Sequence, residues 1–258
     1  MTDDLGIVLP AFAPDVDRLV RYVSHLETEL SPGAMRIEVD GASPTAVDRL
    51  RETAATVNAS SERRGKGAAI TCGFDALETP ILAFVDADGS TPSNSLAAIV
   101  APIREDRADV AVGSRRHPRA DVRTHQTAFR RRAGDVFVRI AQELLPVALY
   151  DYQCGAKAIR STTWDLIRAD IVTPGFAWDI DFLTAAALHD ASIIEVPIVW
   201  EDKAGTTVPV LSTGVEFATA VFRARHRMAC QRGNTFHRTL ERFLPDPDPL
   251  EVDAGFDG

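Results

Sequence analysis

A short apolar segment, 81–85, ends abruptly in two carboxylates, Asp86 and Asp88, that are separated by one residue. An uninterrupted apolar run of this length is typical of a strand that is buried on both faces of an α/β sheet. Side chains two residues apart in extended backbone point the same way, so both carboxylates are expected at the carboxyl end of the strand. Ligands of open α/β sheets bind at that edge.

Short apolar segments alternate with amphipathic ones along most of the chain. This alternation predicts a mostly parallel sheet covered by helices, which is an α/β fold. The chain has 258 residues, of which 45% are apolar, so it can bury the core of one large domain. Strands are predicted at 6–9, 35–39, 81–85, 109–112 and 192–200, and helices at 46–57, 65–77, 124–145 and from Pro14 onwards.

Composition and charge exclude several classes of protein. No apolar run approaches the roughly 18 residues of a membrane-spanning helix, and the first residues are unlike a secretory signal. The formal net charge of −9 argues against a general nucleic-acid binder. Cys72, Cys154 and Cys230 show neither pairing nor metal-ligand spacing, which is typical of a reduced, cytoplasmic protein.

Asp86 and Asp88 form a candidate metal site. Two hard oxygen ligands on the same side suit Mg²⁺ or Mn²⁺, which would bridge the diphosphate of a nucleotide. The alternative is a polar turn that closes a strand, because Asp and Gly are common in turns. An Asp-x-Asp pair is a weak motif by itself, so its interpretation depends on the motifs around it.

Other motifs follow the predicted strands in an unbroken order. They are Pro10-Ala11-Phe12, Asp40-Gly41-Ala42-Ser43, Gly65-Lys66-Gly67, Asp86-Ala87-Asp88, Gly113-Ser114-Arg115, and the segments 151–157 (DYQCGAK), 176–183 (FAWDIDFL) and 195–200 (EVPIVW). Together they resemble the family 2 glycosyltransferases, and in particular the dolichyl-phosphate glucose and mannose synthases of the archaeal type. The resemblance covers residues 6–208.

The resemblance implies both a fold and a reaction. The fold is GT-A, a mostly parallel central sheet with helices on both faces. The reaction is the inverting transfer of a hexose from a UDP- or GDP-sugar to a polyprenyl (dolichyl) phosphate, for glycan or protein glycosylation, with Mg²⁺ or Mn²⁺ as cofactor.

The resemblance also implies the residues of the donor site. Asp86 and Asp88 would hold the metal, and Ser90 stands where mannose-transferring relatives carry another ligand. Lys66 begins a glycine-flanked helix, where a cation and free N–H groups favour phosphate. A solvated surface lysine is the alternative. The nucleotide-sugar site would consist of Pro10, Ala11, Phe12, Asp15, Asp40, Lys66 and Asp86.

Seven arginines lie between residues 115 and 132 of this acidic chain and indicate the acceptor side. Arginine suits bidentate recognition of phosphate, although a charge run is more often a solvated face. Arg115 and Arg130 are predicted to bind the acceptor phosphate, with Gln153 and Lys157 added by resemblance. A lipid phosphate has a second pKa near ~6, so it is mostly a dianion at neutral pH and needs no general base.

Asp179 and Asp181 complete the predicted catalytic set with Asp88 and Arg115. With a hydroxyl acceptor, one of the two carboxylates would be the general base. With a phosphate acceptor, either could hold a sugar hydroxyl or pair with an arginine or Lys157. Asp179 could also be only a helix N-cap.

Three positions depart from the family motifs and leave alternatives open. Ala13-Pro14 replaces an Asn-Glu pair, with Asp15 as a possible substitute for the Glu; Gly41 replaces an Asp; and Thr207 replaces a Lys. One alternative is a glycosyltransferase that acts on a sugar hydroxyl of a lipid-linked glycan. Another is a non-catalytic paralogue that binds nucleotide sugars.

Three regions are predicted along the chain: a GT-A domain at 1–212, a basic amphipathic helical extension at 213–244, and an acidic, Pro-rich, disordered tail at 245–258. A cationic amphipathic helix can lie in a membrane interface, so the extension predicts peripheral attachment to the cytoplasmic face of the cell membrane. The alternative is a helix packed on the domain with solvated arginines.

Overall fold

The structure is a computed structural model that describes residues 4–123, 138–139, 141–201, 210–231 and 250, with the backbone alone at 210–216 and 230–231. Its strands form a larger sheet of seven strands and a smaller one of two within these ranges. They are β1 (Leu5–Phe12), β2 (Ala34–Asp40), β3 (Thr56–Ser60), β4 (Ile81–Val85), β5 (Val110–Ser114), β6 (Asp121–Arg123), β7 (Ala156–Arg160), β8 (Ile193–Pro197) and β9 (Val199–Glu201).

The seven strands of the larger sheet lie in the order β3-β2-β1-β4-β7-β5-β8. All neighbours are parallel except β7, which runs antiparallel to both β4 and β5. β6 and β9 form the separate, parallel pair. The prediction of a mostly parallel central sheet flanked by helices is therefore confirmed.

Helices cover both faces of the larger sheet. They are α1 (Val16–Leu30), α2 (Pro44–Arg51), α3 (Lys66–Asp75), α4 (Ser93–Arg104), α5 (Ser161–Ile167), α6 (Trp178–Leu188) and α7 (Val210–Gln231), with a 3₁₀ turn at Arg168–Asp170. Of the long helix predicted at 124–145, residues 138–139 and 141–144 are helical, and 124–137 and 140 lie outside the described residues.

Side chains of successive strand residues enter two separate cores because they alternate between the faces of the sheet. In β1, Ile7 and Leu9 join the core that also contains Leu19 of α1 and Leu96 of α4. Val8 joins the opposite core, which contains residues of α3, α5, α6 and α7. All five residues of β4 are buried, as the apolar run predicts.

Two predicted elements have different boundaries in the structure. The helix predicted at 46–57 is wrong beyond Arg51, because residues Thr56–Ser60 form the edge strand β3. The strand predicted at 192–200 is two strands, β8 in the larger sheet and β9 in the smaller, with Ile198 between them. Helix α4 was not predicted.

Strand β7 was also not predicted, although it lies next to β4 in the sheet. Its sequence, AKAIR, contains two charged residues and does not read as a buried strand. Lys157 is nevertheless fully buried. A cation at such a position requires a partner of opposite charge inside the protein.

Helix α7 occupies part of the predicted basic extension. Phe217, Val221 and Met228 are buried against the domain, whereas Phe222 is 57% exposed. This packing favours the alternative of a helix packed on the domain for these residues, and the peripheral membrane attachment stays a prediction. Within the described part of the chain, we found no helix that is long and apolar enough to cross a membrane.

The three-region division of the chain stays a prediction, because residues 202–209 and 232–249 lie outside the described part. The region predicted as a disordered tail contains one described residue, Leu250. Its N–H donates to the Ile171 carbonyl at 3.0 Å, and its side chain packs against the second core.

Candidate active site

Asp86 and Asp88 follow β4 directly, at the carboxyl end of the central strands. Lys66, the first residue of α3, places its Nζ 2.7 Å from Asp86 Oδ1. Asp88 Oδ1 accepts the N–H of Ser90 at 2.9 Å, and Ser90 itself is buried. Burial lowers the pKa of Lys66, but Asp86 and Asp179 more than offset this, so the pKa lies above its ordinary value. Lys66 is therefore a fully charged ammonium beside Asp86.

The donor atoms at this edge fit a Mg²⁺ or Mn²⁺ ion that also binds a nucleotide. Both Asp86 and Asp88 act on the phenol of Tyr22, whose pKa is raised by burial and then by these two carboxylates. Both carboxylates therefore lie near the buried Tyr22 side chain. No group of three or more His, Cys, Asp or Glu residues is assembled among the described residues. Two carboxylates suffice where substrate phosphates supply the remaining ligands, as is usual for Mg²⁺.

Gly155 lies directly against the Asp86 carboxylate. The Asp86 N–H donates to the Gly155 carbonyl at 2.8 Å. A Cβ on Gly155 would be 1.8 Å from Asp86 Oδ2, a distance at which one of the two groups must move. A side chain at position 155 would therefore displace the Asp86 carboxylate.

Lys157 and Asp179 form a buried ion pair close to the Phe84 ring of β4. The Lys157 Nζ donates to Asp179 Oδ1 and, at 2.8 Å, to the Cys154 carbonyl. The ammonium groups of Lys66 and Lys157 lie 5.3 Å and 5.6 Å from the centroid of the Phe84 ring. Asp179 thus neutralises Lys157, and the structure brings it near the donor side.

Asp181 is on α6 like Asp179 but has different neighbours. It is fully buried, and its carboxylate pairs with Arg227 of α7 at 3.3 Å and accepts the Val172 N–H at 3.4 Å. Burial raises the pKa of Asp181, and the nearby Arg227 guanidinium opposes this shift. The ion pair with Arg227 connects α7 to α6 and occupies the Asp181 carboxylate. The geometry therefore does not support Asp181 as a general base.

The residues predicted to hold the nucleoside surround the end of β2. Asp40 is buried, and its carboxylate accepts from Arg64 Nε at 2.8 Å and from the Gly65 N–H at 3.2 Å. Phe12 is 53% exposed at the end of β1, with the Arg63 guanidinium 4.2 Å above its ring. An exposed aromatic ring beside a buried carboxylate can stack on a base.

Three other residues predicted for the donor site have mainly structural positions. Pro10 and Ala11 are buried in β1, so only their backbone can face a ligand. Asp15 is the N-cap of α1 and accepts the Arg18 N–H at 3.1 Å. This cap accounts for Asp15 without a nucleotide, so the structure gives no support to its role as a substitute for the Glu of the motif.

Arg115, which was predicted to bind the acceptor phosphate, makes a bidentate ion pair with Asp151. Its Nε lies 2.7 Å from Oδ2 and its Nη2 3.0 Å from Oδ1, and the guanidinium is 5.7 Å from the centroid of the Trp200 ring. The same carboxylate accepts the backbone N–H of Gln153 at 3.1 Å. Arg130 and Thr207 lie outside the described residues.

Four residues of the site were not predicted from the sequence. Arg64 and the N–H of Gly65 both donate to the Asp40 carboxylate, and Arg64 also pairs with the buried Glu38 at 2.9 Å. Asp151 and Gly155 lie in the 151–157 motif and Glu195 in the 195–200 motif, but the sequence indicated no role for any of the three. Glu195 accepts the N–H groups of Tyr150 and Asp151. The signal for Asp151 and Gly155 was their place in the 151–157 motif, on either side of Gln153.

The sequence of the chain is similar to those of known glycosyltransferases. A model of glycosyl transferase family 2 matches residues 38–166, half of the chain. Glycosyltransferase AglD of Haloferax volcanii is 29% identical over 85% of this chain and 36% of its own length. A dolichyl-phosphate beta-glucosyltransferase of Dictyostelium discoideum is 26% identical over 64% of this chain and 52% of its own length.

The fold is also found in solved structures. Glucosyl-3-phosphoglycerate synthase from Mycobacterium tuberculosis, in a complex with Mn²⁺, UDP-glucose and phosphoglyceric acid, matches with a TM-score of 0.63 at 15% identity. The match covers 86% of this chain and 80% of that one. The chain spans about a third to a half of the two curated relatives named above. Since the family model matches half of its residues, the chain belongs to glycosyl transferase family 2.

Proposed function

We propose that the protein is an inverting glycosyltransferase that moves a hexose from a UDP- or GDP-sugar to a polyprenyl (dolichyl) phosphate. The observation that carries the proposal is the arrangement after β4, where Asp86 pairs with the ammonium of Lys66 and Asp88 follows two residues later. Membership of family 2 and relatives named as dolichyl-phosphate glucosyltransferases support the same reaction.

On the donor side, Asp86 and Asp88 would hold Mg²⁺ or Mn²⁺. When bound, such a cation neutralises the charge that develops on the departing nucleoside diphosphate. Lys66 supplies a second positive charge, which its raised pKa keeps in place at neutral pH. Phe12 and Asp40, at the ends of β1 and β2, would bind the nucleoside.

The choice of a phosphate acceptor over a hydroxyl acceptor follows from Asp179 and Asp181. A hydroxyl acceptor requires a general base that can take its proton. Asp179 is in a buried ion pair with Lys157, and Asp181 is in one with Arg227. A phosphate dianion is already a nucleophile and needs only to be positioned.

The acceptor phosphate is proposed to bind near Gln153 and the arginine-rich segment that contains Arg130. Arg115 and Lys157, predicted for the same task, each already hold a buried carboxylate. Their direct contact with an acceptor phosphate therefore stays a prediction.

Transfer of labelled sugar tests the proposed reaction. The protein is incubated with UDP- or GDP-hexose, polyprenyl phosphate and Mn²⁺, and acid-labile label in the lipid is measured. Wild type should form the product, and Asp88→Ala should lower the rate at least about 100-fold because a metal ligand is lost. The control Asp48→Ala removes an exposed carboxylate on α2 and should leave the rate unchanged.

Other outcomes of this experiment identify the alternatives. Label in a glycan hydroxyl rather than in the lipid phosphate would overturn the proposed acceptor. Binding of UDP- or GDP-hexose without any transfer would favour a non-catalytic, nucleotide-sugar-binding protein. An unchanged rate in Asp88→Ala would remove the proposed metal role of this carboxylate.

We propose further that the chain attaches peripherally to the cytoplasmic face of the membrane through α7. Phe222 and Arg225 are exposed on this helix, one turn apart, and combine an apolar side chain with a positive charge. Phe222→Ser should reduce flotation with anionic vesicles. Leu166→Ser, which changes a 62% exposed leucine on α5, is the matched control and should not. Equal flotation of both variants and wild type would contradict this contact.

A further inference from the structure

Arg115 and Asp151 hold each other by three hydrogen bonds. Besides the two from the guanidinium, the Arg115 N–H donates to Asp151 Oδ2 at 3.1 Å. Asp151 is buried; burial raises its pKa, but the guanidinium more than offsets this, and the pKa lies below its ordinary value. Asp151 is therefore ionised, and Arg115, the residue directly after β5, fixes the position of its carboxylate.

The same segment is held from a second side by β8. The Glu195 carboxylate accepts the Tyr150 N–H at 2.9 Å and the Asp151 N–H at 2.8 Å. Asp151 in turn accepts the Gln153 N–H. The start of the 151–155 segment is thus held by two side chains from neighbouring strands. They are Arg115, which follows β5, and Glu195 on β8.

The end of this segment lies against the donor site. Gly155 accepts the Asp86 N–H, and its Cα leaves no room for a methyl group beside Asp86 Oδ2. The backbone at Gly155 is not in the left-handed region, so close approach to the carboxylate alone explains the glycine. The short segment 151–155 therefore connects the Arg115–Asp151 pair with the Asp86 carboxylate.

We propose that Arg115 is a positioning residue for the metal-side carboxylate Asp86, and that it acts through Asp151 and Gly155. The Arg115–Asp151 pair fixes the start of the 151–155 segment and thereby the position at which Gly155 contacts the Asp86 carboxylate. The inference rests on the proposed function, because it specifies how the metal–nucleotide site of that reaction is held in shape. It assigns to Arg115 a task other than direct contact with the acceptor phosphate.

Binding of Mn²⁺ in the presence of UDP, followed by the electron paramagnetic resonance of free Mn²⁺, tests this inference. Arg115→Met and Asp151→Asn should each weaken Mn²⁺ binding about 10- to 100-fold, the usual effect of disturbing groups that orient metal ligands. The double variant should be no worse than the more affected single one, because both remove the same connection. The control Arg51→Met removes an exposed arginine on α2, outside the proposed donor and acceptor sites, and should bind Mn²⁺ normally.

Gly155→Ala supplies an independent variant at the other end of the segment. It keeps the Arg115–Asp151 pair and should weaken Mn²⁺ binding by displacing Asp86. Thermal unfolding of each variant shows whether it folds. If Arg115→Met does not fold, the Mn²⁺ affinities of Asp151→Asn and Gly155→Ala still test the inference. Unchanged Mn²⁺ affinity in both of these would overturn the inference.

Kinetics separate the positioning role from direct contact with the acceptor. A positioning role lowers kcat in Arg115→Met and Asp151→Asn alike, with little change in the KM for polyprenyl phosphate. A raised KM in Arg115→Met alone, with normal Mn²⁺ affinity, would show instead that Arg115 binds the acceptor. If wild type binds Mn²⁺ and UDP but transfers no sugar, the proposed function fails, and the Mn²⁺ affinities of the variants still test the inference.

Discussion

At the scale of single residues, buried and partly buried charges around the end of β4 occur in pairs. Lys66 holds Asp86, Lys157 holds Asp179, and Arg115 holds Asp151. Taking an ion out of water costs several kcal/mol, and only a close opposite charge and further hydrogen bonds offset that cost. Loss of one member therefore leaves the other buried and unpaired, so substitutions here will affect stability as well as activity.

The pair of Arg115 and Asp151 predicts a pH dependence of stability. The pKa of Asp151 is lower in the folded chain than its ordinary value of 3.8, so its ionisation stabilises the fold above that pH. This contribution is lost as the pH falls through the folded pKa. Asp151→Asn should lower the free energy of unfolding by about 2 kcal/mol at pH 7. The difference from wild type should shrink below about pH 4.

Urea unfolding of both proteins at a series of pH values measures this difference. Asp48→Asn, at an exposed site, is the control and should track wild type throughout. A difference that stays constant down to the acid limit of folding would contradict the depressed pKa of Asp151.

Cys154 gives a second prediction at this scale. Burial raises the pKa of its thiol to about 12, with smaller opposing effects of Arg115 and Lys157. At pH 8 only about one thiol in ten thousand is then a thiolate, which is the reactive form. Cys154 should resist iodoacetamide at pH 8 in the folded protein and react readily in urea, as measured by peptide mass spectrometry. Rapid labelling of the native protein would contradict its burial.

At the scale of elements, the sequence predicted the apolar central strands but missed β7, which lies between β4 and β5 in the sheet. The runs that became β1, β4 and β5 are apolar because both faces of a central strand are buried. β7 is equally buried but contains Lys157, whose partner Asp179 comes from a distant helix. A local pattern contains no information on such a partner, so the strand could not be predicted.

Helix α7 shows the same limitation in its relation to the domain. Its apolar residues and arginines predicted an amphipathic helix, but not which surface would cover the apolar face. In the structure that face packs against the domain, and Arg227 donates to the Asp170 carbonyl and pairs with Asp181. A membrane and a protein core offer the same apolar environment, so sequence alone leaves the two alternatives open.

The ion pair between α6 and α7 predicts a cost for its loss. Arg227→Met should lower the free energy of unfolding by about 3 kcal/mol, because Asp181 would remain buried without its guanidinium. The double variant Arg227→Met/Asp181→Asn should recover part of this loss. Arg225→Met, on the exposed face of the same helix, is the control and should cost little. Chemical denaturation measures all three; equal stability of the two single variants would contradict a structural role for the pair.

At the scale of the whole molecule, one aromatic cluster connects the sheet to the helices on one face. The Trp178 ring stacks on Phe182 with centroids 4.8 Å apart and meets the edges of Phe74 and Phe84. Its indole N–H donates to Thr71 at 3.0 Å. The cluster thereby joins α3, β4 and α6, and it lies behind the residues that hold Asp86 and Asp179.

Truncation of Trp178 should therefore destabilise the whole fold. Trp178→Ala removes a fully buried ring and is expected to cost about 3–5 kcal/mol of unfolding free energy. Phe222→Ala removes an aromatic ring that is 57% exposed and should cost far less. Thermal and urea unfolding compare the two variants with wild type, and similar losses in both would contradict the central position of the cluster.

By itself, the sequence determined the α/β class, the central strand and the two carboxylates that follow it, because these depend on local apolar patterns and on backbone periodicity. The order of its motifs indicated the family. Only the tertiary structure decided which charges are paired: it pairs Asp181 with Arg227 of α7, Arg115 with Asp151, and Lys157 with Asp179. Such pairs form between residues far apart in the chain, where burial makes an unpaired charge too costly and a local pattern contains no record of the partner.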